Sequence, residues 1–154
     1  MFHHFPQPPG SSPEINFHYE DVSIPFFNEE EARKWIESVI SEESSLPGAI
    51  TYVFCTDSYL YKINKRYLKH ETLTDIITFD YSEEFDSLSG DIFISYERVL
   101  DNAGLNNQLP EQELHRVMIH GILHLLGYDD HTDQEKALMR EKENYYLSLR
   151  SRSV

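Results

Sequence analysis

The chain is poor in positive charge, nearly without cysteine, and has no apolar run long enough to cross a bilayer. Thirteen lysines and arginines stand against 27 aspartates and glutamates, for a formal net charge of −14 with histidine neutral. Phosphate contacts need concentrated positive charge, so this balance excludes a broad cationic surface for nucleic acid. Any such site has to be a local basic patch or a metal centre on an acidic body. The single Cys55 excludes an internal disulfide and sits in the apolar run AITYVFC, where it reads as a small core residue. A reduced, cytoplasmic setting fits. No segment approaches the roughly 18 apolar residues of a membrane helix, and MFHHFPQPPGSSP lacks the basic start and apolar stretch of a signal peptide. No membrane association and no DNA substrate are expected.

What is present suits one globular unit. The 154 residues are 40% hydrophobic and 26% charged, enough to bury a core without a partner. Residues 1–13, rich in proline, glycine and serine, read as a leader, and residues 14–150 as the folded domain. His3 and His4 lie in that leader, where adjacent histidines rarely build a defined ligand geometry. The alternation in INFHYEDVSI predicts a first strand. Asn28 before EEEARKWIESVISEES supplies a cap and an acidic first turn, with Trp35, Ile36, Val39 and Ile40 on one helical face. AITYVFCT follows as a strand, Asp57 is expected to cap the helix SYLYKINKRYLK, and TLTDIITFDY and GDIFIS read as two more strands. YERVLDNAG predicts a short helix, Pro110 opens a longer one that runs to Gly127, and a last helix extends from about Asp133 to Leu149. The order predicts an α+β domain: a mixed four-stranded sheet packed with about five helices.

The chemistry concentrates in EQELHRVMIHGILHLLGYDDH. His120 and His124 are four positions apart, so at 100° per residue both imidazoles leave the same side of the helix and can reach one ion. Leu114, Val117, Met118 and Leu125 form one apolar face, which Ile119, Ile122 and Leu126 widen until the helix is expected to be mostly buried. Burying imidazoles needs compensation, which metal ligation supplies. A third ligand is expected just downstream, where Asp130 and His131 stand side by side; imidazole preference alone favours His131 for zinc. Zinc proteases of the H-E-x-x-H type carry their base directly after the first histidine, and this chain has Gly121 there. A three-ligand site with an open position can still acidify bound water to a pKa of about 7 without a protein base. Glycine inside a helix costs about 1 kcal/mol against alanine, so Gly121 also implies close approach of a backbone or of substrate.

Three blocks carry a family likeness. HGILHLLGYDD resembles the H-G-x-L-H-L-x-G-Y-D-H signature of YbeY-type bacterial endoribonucleases; TDIITF at 74–79 is similar to that family's T-D-V-L-S-F strand, and GDIFIS at 90–95 to its G-D-I-x-I-S strand. The likeness spans roughly residues 50–145, while the first strand and helix match only in type. It implies a metal-dependent, single-strand-specific endoribonuclease acting on the ribosomal small subunit, in maturation of the 3′ end of its rRNA and in ribosome quality control; the histidine spacing makes zinc the expected ion, one per chain. It also implies metal histidines beside a cleft. Two positions depart from the pattern: Leu68 replaces an arginine, and Asp130 occupies the place of the third metal histidine, ten residues after His120. Register therefore selects Asp130 as third ligand, with His131 the alternative.

INKRYLKH gathers Lys65, Arg66, Lys69 and His70 in an otherwise acidic chain, and Lys62, Arg66 and Lys69, at i, i+4 and i+7, predict a phosphate-binding helix edge that His70 extends. Two rival readings remain at this level. One is a ribosome-assembly binding factor with a structural metal, expected to show four protein ligands; the other is a metal-dependent hydrolase of peptides or other small substrates.

Overall fold

Among the described residues, four strands and five α-helices follow one another in the order read from the sequence: β1 (Glu14–Tyr19), α1 (Glu29–Glu42), β2 (Pro47–Cys55), α2 (Asp57–Ile63), β3 (Ile76–Asp80), β4 (Leu88–Ser95), α3 (Tyr96–Leu105), α4 (Pro110–Leu125) and α5 (Asp133–Arg152). The computed structural model describes residues 14–68, 74–82 and 87–152, so the expected leader at 1–13 lies outside it. The sheet order is β1-β2-β4-β3, with β2 parallel to β1 and β4, and β3 antiparallel to β4. The α+β class and the mixed four-stranded sheet are thus as expected.

Parallel strands covered on both faces need apolar residues throughout, and the central pair has them. Along β2, Ile50, Tyr52 and Phe54 enter the main core with residues of α1 and α4, while Val53 and Cys55 face a smaller core closed by Leu60 and Ile63 of α2. Two buried polar ties brace the main core: the Trp35 indole donates to the Tyr146 carbonyl and the Tyr52 hydroxyl to the Met118 carbonyl, each at 3.0 Å. They join α1 to α5 and β2 to α4 without leaving a donor unpaired.

Local signals act largely as read. The Asn28 side chain accepts from the Glu31 amide at 3.1 Å, and Pro110 takes the first position of α4. Three details differ from expectation. β1 stops at Tyr19 because Asp21 adopts a positive φ of 58° and turns the chain away from the sheet. The cap of α2 is Thr56, whose hydroxyl accepts from the Tyr59 amide at 3.1 Å; Asp57 instead accepts from Ser95 at 2.6 Å and from Arg98 at 3.1 Å, tying the starts of α2 and α3. Beyond Ile63 the helix widens into a π-helical turn at Asn64–Leu68. Arg66 therefore leaves the α-helical register of Lys62, so the i, i+4 alignment expected for that pair is not kept. Lys69 and His70 lie outside the described residues.

Candidate metal centre

The helix that carries the two histidines is held against the sheet by its glycine. A Cβ at Gly121 would sit 2.9 Å from Ile92 Cγ2 and 3.0 Å from Ile76 Cδ1. The close approach inferred from this residue is thus to isoleucine side chains of β3 and β4, and neither backbone nor substrate accounts for it. α4 ends in a Schellman motif: Gly127, at φ 104°, donates to the His124 carbonyl at 3.0 Å, and the Tyr128 amide donates to the Leu123 carbonyl at 3.0 Å. The chain then folds back over the histidines.

Two anchors fix that returning loop. The Tyr128 hydroxyl donates to Glu43 at 2.6 Å, and Glu43 also accepts from Lys142 at 3.0 Å and from the Tyr146 hydroxyl. Burial pushes the Glu43 carboxyl up, but these hydrogen bonds outweigh it and hold the pKa below its ordinary value. At the far end Thr132 and Glu135 form a reciprocal capping box on α5, with bonds of 3.0 and 2.9 Å. Asp130 lies between the anchors.

His120 Nε2 and His124 Nε2 are 2.9 Å apart, and Asp130 Oδ2 is 3.4 Å from each. Donors bound at 2.0–2.1 Å around a tetrahedral ion lie about 3.3 Å from one another. The observed spacings bracket that value, and among the described residues these three form a group able to hold a metal ion. His131, by contrast, is exposed and its amide is engaged by Glu135 at 3.1 Å. The structure brings Asp130, and not His131, to the two histidines.

Behind His120 stands a carboxylate. Its Nδ1 lies 2.7 Å from Glu143 Oε2, and Arg116 donates to the other oxygen of Glu143 at 3.0 Å and to Asn144 at 2.9 Å. With Nδ1 donating to Glu143, Nε2 presents its lone pair to the site, the arrangement that orients metal-binding imidazoles. Burial pulls the His120 pKa down, but the hydrogen bond and charge of Glu143 outweigh it and the pKa is raised. Burial pushes Glu143 up, yet its bonds from His120 and Arg116 hold it low. The field that favours a proton on His120 equally favours a cation.

His120 and Asp130 open on a cleft of about 470 Å³, whose wall also includes Asp75 and Glu113. Burial raises the pKa of both carboxyls: for Asp75 against the opposing charge of His120, and for Glu113 with a further push from Asp75. Neither Lys62 nor Arg66 lines this cleft; both are exposed, and Arg66 stacks its guanidinium 5.5 Å from the Tyr67 ring centre. Glu143, Arg116, Asp75 and Glu113 escaped the sequence reading. One signal existed for Glu143: it is four residues after Met139 and three before Tyr146, so a charged group sits on the stripe that α5 buries.

A family model described as Endoribonuclease YbeY matches residues 14–150. The chain belongs to the endoribonuclease YbeY family. It is 49% identical over 135 residues to the Endoribonuclease YbeY of Flavobacterium johnsoniae, covering 88% of this chain and 96% of that one. The Endoribonuclease YbeY of Bacteroides thetaiotaomicron is 41% identical over 136 residues, covering 88% and 97%. Among solved structures, the solution structure of TM1509 from Thermotoga maritima superposes with a TM-score of 0.60 at 25% identity, over 85% of this chain and 86% of that one. The likeness drawn from the three sequence blocks is therefore one of true membership, and it includes β1 and α1 as well.

Proposed function

We propose that the protein is a zinc-dependent endoribonuclease that cuts single-stranded RNA, acting in the cytoplasm on small-subunit rRNA near its 3′ end. The observation that carries the reading is the convergence of His120 Nε2, His124 Nε2 and Asp130 Oδ2 at the mouth of a cleft. Three protein donors are the pattern of catalytic zinc sites, whereas the structural metal of a binding factor takes four. An ion held by these donors supplies an acidified water and positive charge for a phosphoryl oxygen.

The chain's own groups supply the rest. Glu143 orients His120 and is itself held by Arg116. Asp75, delivered by the approach to β3, places on the cleft wall the carboxylate that α4 lacks at Gly121, where it can accept a proton from the attacking water. The carboxylate of Asp130 leaves the centre less positive than three imidazoles would, which disfavours ionisation of a bound water and favours harder metals than a three-histidine site does.

The test is elemental analysis of purified protein, with cleavage assays on one RNA presented single-stranded and as a duplex. Asp130→Asn should lose both metal and cleavage, whereas His131→Ala should keep both. Metal lost from the His131 variant and retained by the Asp130 variant would reverse the ligand assignment. Equal cutting of single strand and duplex would remove the strand specificity.

A further inference from the structure

The cleft beside the metal ligands carries cations that the catalytic reading does not use. Lys136 and Arg140 are four residues apart on α5, so both side chains leave the same side of the helix, and both line the cleft with His120 and Asp130. Arg116 reaches the same cleft from α4. Its guanidinium is occupied by Glu143 and Asn144, and its side chain is 26% exposed. Lys136 and Arg140 are exposed, and among the described residues neither is within 4 Å of a carboxylate. Arg140 is felt by the Glu113 carboxyl across the cleft, but neither cation is held in an ion pair among the described residues, and both can meet an external anion in a chain of net charge −14.

We propose that Lys136 and Arg140 form a phosphate-binding edge that seats the backbone of single-stranded RNA against the metal centre. This rests on the ribonuclease reading above. The charge of the cleft gives the edge a further property. The carboxylates of Asp75, Glu113, Asp130 and Glu143 face the cations of Arg116, Lys136 and Arg140, a net charge of −1 with the histidines neutral. A divalent ion turns that balance to +1. The edge therefore attracts RNA more strongly when the metal is bound, and a protein too acidic for general nucleic-acid binding has a local site strengthened by its ion. The exposed pair Lys62 and Arg66 lies elsewhere and provides the competing route for the strand.

The experiment measures the affinity of the metal-loaded protein for a short single-stranded RNA across a range of salt. The double variant Lys136→Gln, Arg140→Gln should lower the slope of log K against log salt by about 1.4, at about 0.7 for each lost contact. Its metal content should equal that of the parent, which separates lost RNA contacts from a damaged metal site. Stripping the ion from the parent should weaken RNA binding more than it weakens binding to the double variant. An unchanged slope in the double variant overturns the proposal, as does a loss of slope in Lys62→Gln, Arg66→Gln instead. If the metal-loaded parent neither binds nor cuts RNA, the ribonuclease reading itself falls and takes this site with it.

Discussion

Replacing Glu143 by glutamine tests how the metal centre is held together. The side chain is 6% exposed and receives His120 Nδ1 at 2.7 Å and Arg116 at 3.0 Å. Glutamine keeps the shape and removes the charge, so His120 loses its charge-assisted partner and the bias that turns Nε2 toward the site. Loss of such an outer partner costs roughly 10–100-fold in metal affinity, about 1.4–2.7 kcal/mol. The fold is affected less than by an orphaned buried charge, because Arg116 is partly exposed and retains Asn144; about 1–2 kcal/mol is expected. The pH dependence of the metal-free protein separates the two partners. Glu143 has a lowered folded pKa, so its contribution is complete above its ordinary value of 4.5 and is lost as pH falls through the folded value. His120 has a raised folded pKa, so its contribution is complete below 6.5 and is lost as pH rises through the folded value. Between 4.5 and 6.5 both are present, and Glu143→Gln should destabilise most there. The assays are denaturant unfolding of metal-free protein at several pH values and metal titration against a competing chelator. Wild-type metal affinity in the variant would show that Glu143 does not orient His120.

Two further perturbations probe the scaffold. Gly121→Ala places a methyl 2.9 Å from Ile92 Cγ2; overpacking of about 1–3 kcal/mol outweighs the gain of about 1 kcal/mol in helix propensity, so a net loss near 1 kcal/mol is expected. Denaturant midpoints measure it, and a net gain would mean that the sheet yields freely at this contact. His115, packed between Phe27 and Trp35, has its pKa pulled down to about 4 by burial, reinforced by the charge of Arg150. The unfolded chain then binds a proton that the folded one refuses, so stability should fall by about 3 kcal/mol as pH drops from 6.5 to about 4. His115→Gln should flatten that limb of the stability curve, and an unchanged limb would refute the assignment.

Local physics made much of this protein legible in its sequence. The four-residue spacing of His120 and His124 puts them on one helix face whatever surrounds the helix, and the cap at Asn28, the opening at Pro110 and the stop at Gly127 are set by neighbours within a turn. AITYVFCT and GDIFIS read as strands from their composition alone, while their burial on both faces comes from the helices packed against them. Other features depend on residues distant in the chain. Thr56 and Asp57 both suit a cap, and only the arrival of Ser95 and Arg98 gives Asp57 other partners. Glu143 reaches His120 across 23 positions, and Asp75 enters the cleft from another strand approach. The choice between Asp130 and His131 is also tertiary as a matter of geometry: adjacent residues point in different directions, and the loop's direction is set by Glu43 gripping Tyr128 from 85 positions away and by the cap on α5. Sequence by itself determined which groups can bind a metal, because spacing along a helix is a local property; only the tertiary structure decided which of them meet, because convergence is a property of packing.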